Sequence, residues 1–169
     1  MKYKFKTKPF KHQAEALEKA CNERYYAFFM EMGTGKTKVA LDNLGMLYQQ
    51  KKVSAALIIA PKGVYDNWVK VEIPKHLSDD VPVKVVRWQP RLSIAYKNEL
   101  ESFVKERYDG LKIFVMNIEA LSTTKSSDNF IFDNVVVPML PEPIVSFLTV
   151  SNKNGCAINV FDFKRRAVI

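Results

Sequence analysis

At 169 residues, 47% of them hydrophobic and 12% aromatic, the chain has the length of one domain with an appendage and enough apolar surface for a core, which excludes a disordered composition. Its formal charge of +8, from 26 Lys and Arg against 18 Asp and Glu, favours polyanionic partners, nucleic acid first, with solubility as the plain alternative. No stretch approaches the roughly 18 uninterrupted apolar residues of a membrane span, and the basic N-terminus lacks the apolar core of a signal peptide, so a soluble, cytoplasmic protein is expected.

In chain order, "YYAFF" (Tyr25 to Phe29) reads as a short buried strand. The glycine-rich turn "GTGKT" follows, then a helix from about Lys36 to Gln50 with Val39, Ala40, Leu44 and Leu47 on its apolar face. "SAALIIA" (Ser54 to Ala60) is a second strand, apolar on both faces as parallel strands are. "KGVYDNWVKVEI" is a helix or a turn leading into one, and Trp68 within it is read as core. "VPVKVVRW" (Val81 to Trp88) is a third strand, Arg91 to Tyr108 an amphipathic helix, and "LKIFVMN" (Leu111 to Asn117) a fourth strand, after which "IEALST" begins another helix. Alternating strands and helices imply an α/β fold with a parallel sheet and right-handed crossovers.

After Lys125 the rhythm stops. Pro138, Pro141 and Pro143 interrupt a stretch with no clear helix, although "FIFDNVVV" and "IVSFLTV" read as strands. Residues 126–169 carry 4 Lys and Arg and 4 Asp and Glu, so the whole positive excess lies in residues 1–125. Two units are expected: an α/β segment over 1–125 and an irregular or β-rich tail over 126–169. Cys21 and Cys156 show no CxxC spacing and His12 and His76 are scattered, so neither a thiolate metal site nor a structural disulfide is expected.

The turn from Gly33 to Thr37 has the chemistry of a phosphate cradle. Glycine lets the chain curl so that backbone N–H groups point inward, and the following helix aims the positive end of its dipole at the anion. Lys36 would reach the β- and γ-phosphates, and the Thr37 hydroxyl would ligate Mg²⁺. The strict P-loop pattern wants glycine at position 30, where this chain has Met30. Upstream, the Gln13 amide can pair with both the N6 donor and the N7 acceptor of adenine, against the plain reading of a helix-surface glutamine. Pro61 and Lys62 follow strand two, and Asn117 and Glu119 end strand four. All lie on the ligand edge of a parallel sheet, where helix capping is the plain alternative for the last two.

These stretches resemble superfamily II helicase-like ATPases, above all the Swi/Snf-like branch that includes chromatin remodellers and many phage-encoded helicases. The matching segments are "KPFKHQAEAL" (the glutamine motif), "MEMGTGKT" (motif I), "LIIAPKGVYDNW" (motif Ia) and "IFVMNIEAL" (motif Ib), over about Lys6 to Lys125. The resemblance implies the N-terminal part of a first RecA-like domain. Gln13, Met32, Gly33, Thr34, Gly35, Lys36 and Thr37 would bind ATP, with Thr37 on Mg²⁺. Pro61, Lys62, Asn117 and Glu119 would lie along a nucleic-acid track, DNA rather than RNA. If the chain is phage-encoded, the compartment is the host cytoplasm.

The family pattern then requires motif II, an apolar strand beside the P-loop strand ending in Asp-Glu, whose carboxylates hold Mg²⁺ and polarise the attacking water. No Asp-Glu pair occurs in the chain. In "FIFDNVVVPML", Pro138 and Met139 stand where the carboxylates belong, Asp133 comes too early, and Glu142 lies between prolines. Nor does anything resemble motifs III to VI or a second RecA-like domain. The expectation is therefore an ATP-binding segment of a DNA helicase or translocase with no catalytic residues, inactive alone or completed by a second polypeptide. "FIFDNVVV" is a candidate to fill the vacant strand position. The alternatives are a non-enzymatic helicase-derived binding module acting on a partner, and a small P-loop kinase.

Overall fold

The structure, a computed structural model, describes residues 3–23, 26–117 and 119–120 in full, and residues 144–152 and 155–162 as backbone. Helix α1 (Lys11–Ala20) begins where the Gln13 side chain turns back to accept the Phe10 backbone N–H at 3.0 Å, and it buries Gln13, Leu17 and Ala20 at helical spacing. Strand β1 (Tyr26–Met30), helix α2 (Lys36–Gln49), strand β2 (Ala55–Ala60) and strand β4 (Leu111–Asn117) fall where the hydrophobic pattern predicts them, to within a residue or so.

The β2-to-β3 connection is more broken than its sequence suggests. It comprises α3 (Tyr65–Asn67), a π-helical turn (Trp68–Glu72) and α4 (Ile73–His76). Pro74 explains the interruption: its ring clashes with the carbonyl four residues back and it has no N–H to give. The Ile73 N–H reaches the Trp68 carbonyl five residues back instead. Strand β3 (Val83–Arg87) and helix α5 (Ile94–Lys105) are shorter than the periodicity predicts. Ser93 caps α5 by accepting the Tyr96 N–H at 3.2 Å, which sets its start, and Glu106 leaves it in extended backbone.

The six-stranded sheet has the order β1-β6-β5-β2-β4-β3, with β5 (Ile144–Asn152) and β6 (Gly155–Asp162) from the tail. Strands β5, β2, β4 and β3 are parallel neighbours, while β6 is antiparallel to both β5 and β1. The "IVSFLTV" stretch is thus a strand, β5. "FIFDNVVV" lies outside the described residues, and the place beside β1 belongs to β6. Because β6 runs backwards, its C-terminal end points away from the edge where β1 ends.

Two apolar clusters cover the two faces of the sheet. Ala56, Ile58 and Ala60 of β2 face Val39, Ala40 and Leu44 of α2, with Leu17, Trp68 and Ile73, as the sequence reading of α2 and Trp68 expects. Leu57 and Ile59 face the other way with Phe114 and Met116, against Tyr96, Leu100 and Phe103 of α5. The crossovers through α2 and α3–α4 lie over one face as the chain moves across the sheet. The return through α5 lies over the other, as right-handed connections require.

One charged pair is sealed into this core. Lys38 and Asp42 pair on α2 with side chains 8% and 1% exposed, the Tyr3 hydroxyl donates to Asp42 at 3.4 Å, and the Phe5 ring sits under the Lys38 ammonium. Burial pushes the Asp42 carboxyl above its ordinary value, and the Lys38 bond offsets part of that shift. Asp42→Ala would strand a buried ammonium and should cost about 3–5 kcal/mol in chemical denaturation, whereas Lys38→Met with Asp42→Leu should recover most of it.

Candidate functional site

The parallel strands end along one edge of the sheet, and the Gly33–Thr37 loop sits there. Gly33 and Gly35 have φ of 78° and 81°, in the left-handed region, so the two glycines of "GTG" carry the curl of the loop. Gly35 is the N-cap of α2 and no side chain caps that helix. The first-turn N–H groups, with the positive end of the helix dipole, therefore face the cleft. Lys36 is 7% exposed and donates from Nζ to the carbonyls of Met30 at 2.8 Å and Glu31 at 2.7 Å. An ammonium has three donors, so one remains for an anion.

Helix α1 is tied directly to this loop. Gln13 Nε2 donates to the Thr34 carbonyl at 2.9 Å, and His12 Nε2 lies 3.1 Å from the same oxygen. A carbonyl only accepts, so His12 carries its proton on Nε2 in this contact. Gln13 has spent one N–H on Thr34 and one lone pair on Phe10; one of each is left. The remaining pair is the complement that an adenine edge presents.

Around these groups lies a cleft of about 570 Å³, lined by Gln13, Met32, Gly33, Thr34, Gly35, Lys36 and Thr37 together with Phe10, His12, Lys38, Pro61, Val64, Trp68, Glu72 and His76. All seven residues expected at the nucleotide are therefore brought together. Of the four expected on a nucleic-acid track, only Pro61 lines this cleft. Lys62 and Glu119 are exposed and meet beside it, the Lys62 backbone N–H donating to Glu119 Oε1 at 3.4 Å. Asn117 stands level with Ala60 at the end of β4 and is 4% exposed, with Oδ1 unpartnered among the described residues.

The lining residues that sequence reasoning did not place at the site are Phe10, His12, Lys38, Val64, Glu72 and His76, with Trp68, which was read only as core. The first two adjoin Gln13 in the glutamine motif, so proximity was a usable signal. Val64, Trp68, Glu72 and His76 recur four residues apart and line the cleft together, a helical spacing that was a usable signal. Glu72 Oε1 accepts from Asn67 Nδ2 at 3.0 Å and Oε2 lies 3.5 Å from His76 Nε2, while His76 Nδ1 is 3.3 Å from the Thr7 hydroxyl.

No group of three or more His, Cys, Asp or Glu side chains among the described residues could hold a metal by itself. The Thr37 hydroxyl is a hard oxygen donor at the mouth of the phosphate cradle, which suits Mg²⁺ shared with a nucleotide. On the far side of the cradle, Met30, Cys156 and Ser151 stand level across β1, β6 and β5. Strand β5, "IVSFLTVSN", passes this edge without an acidic residue. Asp133 and Glu142 lie outside the described residues.

Residues 6–137 match the family described as Type III restriction enzyme, res subunit. The chain belongs to this family. Its members are superfamily II helicase-like proteins, so the chain is an ATP-binding, helicase-like segment, and its α/β sheet is an incomplete RecA-like domain. The match runs past Lys125 and takes in the first twelve residues of the region expected as tail, up to residue 137. No curated protein matches the chain. No helix among the described residues is long and apolar enough to cross a membrane.

Two measurements check the geometry. A Cβ at Gly35 would sit 2.5 Å from Gln13 Nε2 in left-handed backbone, while a Cβ at Gly33 meets nothing within 4 Å. Gly35→Ala should therefore lose more nucleotide affinity and more stability than Gly33→Ala, which carries only the backbone strain of about 1–2 kcal/mol. Burial holds His76 below its ordinary value of 6.5, so its contribution to stability is complete above that value and is lost as pH falls through the folded-state value. Acidification in that window should lower the melting temperature, and His76→Gln should flatten the dependence.

Proposed function

We propose that this chain is the Mg·ATP-binding segment of an ATP-dependent DNA helicase or translocase of the Swi/Snf-like branch, phage-encoded, with the glutamine motif and motifs I, Ia and Ib. The observation that carries the reading is the cradle: two left-handed glycines, an uncapped helix start and Lys36, with Gln13 bonded to the same loop. Gln13 offers adenine its free N–H and lone pair. The first-turn N–H groups and the third Lys36 donor receive the phosphates. Thr37 supplies an oxygen to Mg²⁺, which when bound neutralises phosphate charge. Lys62, Asn117 and Glu119, on the same sheet edge, are the DNA-facing candidates, and the positive excess of residues 1–125 supplies salt-sensitive attraction.

Hydrolysis needs a carboxylate to hold the cation and another to polarise water, at the end of a strand next to the cradle. Strand β6, which lies beside β1, carries its one acidic residue, Asp162, at the end away from the cradle, and β5 carries none, which supports binding without turnover until a second polypeptide completes the motor. The same lack favours a second reading, a non-enzymatic module that occupies DNA or a partner motor. Residues 126–169 then serve as a divergent tail that supplies sheet strands.

The test is calorimetric binding of ATP with Mg²⁺ beside Lys36→Ala, with turnover followed with and without DNA. Lys36→Ala should lose roughly ten- to a hundredfold in affinity, the value of one charged hydrogen bond, and neither protein should turn over. DNA-stimulated hydrolysis by the pure chain would sink the inactive reading. A specific host protein that co-purifies through the tail would favour the module.

A further inference from the structure

Glu72 is the only acidic residue lining the nucleotide cleft among the described residues, and nucleotide binding through the cradle gives it no task. Its two hydrogen-bonding neighbours are an amide, Asn67, and an imidazole, His76, the second at 3.5 Å, longer than a strong charge-assisted bond. No Lys or Arg pairs with it among the described residues. The cations of the same cleft are committed elsewhere, Lys38 to Asp42 and Lys36 to the loop carbonyls. Its side chain keeps 23% of its surface open. A carboxylate without a fixed countercharge therefore stands in the wall of a cleft whose backbone is built for phosphate.

Its position is itself a built feature. Glu72 closes the π turn that Pro74 imposes, and a residue added to one turn rotates the rest of the helix by about 100°. Such turns recur where a side chain has to be re-aimed at a site. A bare negative charge here repels a triphosphate, unless a cation lies between the two. Mg²⁺ suits that place: it takes one or two carboxylates plus phosphate oxygens and keeps much of its water.

We propose that Glu72 makes nucleotide capture dependent on a divalent cation, by repelling the metal-free triphosphate and accepting hydrogen bonds from the water shell of phosphate-bound Mg²⁺. The proposal rests on the ATP reading and deepens it. It assigns to this cleft-lining carboxylate a role that β5 does not supply.

The experiment is calorimetric titration of ATP into the full chain, with Mg²⁺ and with a chelator, for wild type, Glu72→Gln and Glu15→Gln. Glu72→Gln keeps an acceptor for Asn67, and Glu15, exposed on α1, removes the same charge away from the cleft. Wild type should bind Mg·ATP about tenfold or more tighter than metal-free ATP. In Glu72→Gln the two affinities should converge, chiefly because metal-free ATP binds better, and Glu15→Gln should keep the wild-type gap. A gap unchanged in Glu72→Gln, or closed equally by Glu15→Gln, overturns the proposal. So does a wild type that binds both forms alike, a result that needs no variant to fold and leaves ATP binding standing. A wild type that binds neither form removes the ATP reading and the proposal together. Should Glu72→Gln melt below the titration temperature, Glu72→Met is read in the same two titrations against the same criteria.

Discussion

Both faces of β2 have to be covered. All six residues of Ala55–Ala60 are buried, and an apolar strand of this kind is stable only between two layers of helix. Helices α2 and α3–α4 therefore lie on one side and α5 on the other. The helical crossovers make the strands parallel and bring their C-terminal ends to one edge, and the right-handed sense of each crossover decides which face its helix covers. The P-loop after β1, the Pro61 turn after β2 and the Asn117–Glu119 stretch after β4 share that edge for this reason, although they are far apart in the chain.

The edge is electrostatically divided. On the cradle side, backbone N–H groups, a helix dipole and Lys36 offer donors at a place where the chain has no side-chain cap to use them. The same cleft is also lined by Glu72 and His76, from the π turn and the short helix that follows it. Beneath the cradle, Lys38 and Asp42 neutralise each other inside the core, which keeps Lys38 from acting as a second phosphate cation. Of the two strands next across the sheet from β1, β6 has its one acidic residue, Asp162, at the end away from the cradle, and β5 has none.

Much of the fold was legible in the sequence. The strands at Tyr26–Met30, Ala55–Ala60 and Leu111–Asn117 and the helix at Lys36–Gln49 announce themselves because burial imposes a period on their apolar residues. The trimmed ends of β3 and α5 were not legible, since Ser93 capping and a short-range backbone choice at Glu106 override a pattern that continues past them. That Gln13 and the Gly33–Thr37 loop lie in one cleft was foreshadowed by the sequence, because a glycine-rich turn between a strand and a helix falls at the end of a parallel sheet.

By itself, the sequence determined an α/β sheet, a glycine-rich turn at Gly33–Thr37 between a strand and a helix, and the lack of an Asp-Glu pair, since periodicity, glycine backbone freedom and residue identity are local properties. Only the tertiary structure decided that Gln13 and His12 bond the loop through Thr34, that β6 enters the sheet backwards beside β1, and that Glu72 and His76 line the same cleft as the loop. Those outcomes depend on packing between segments distant in the chain.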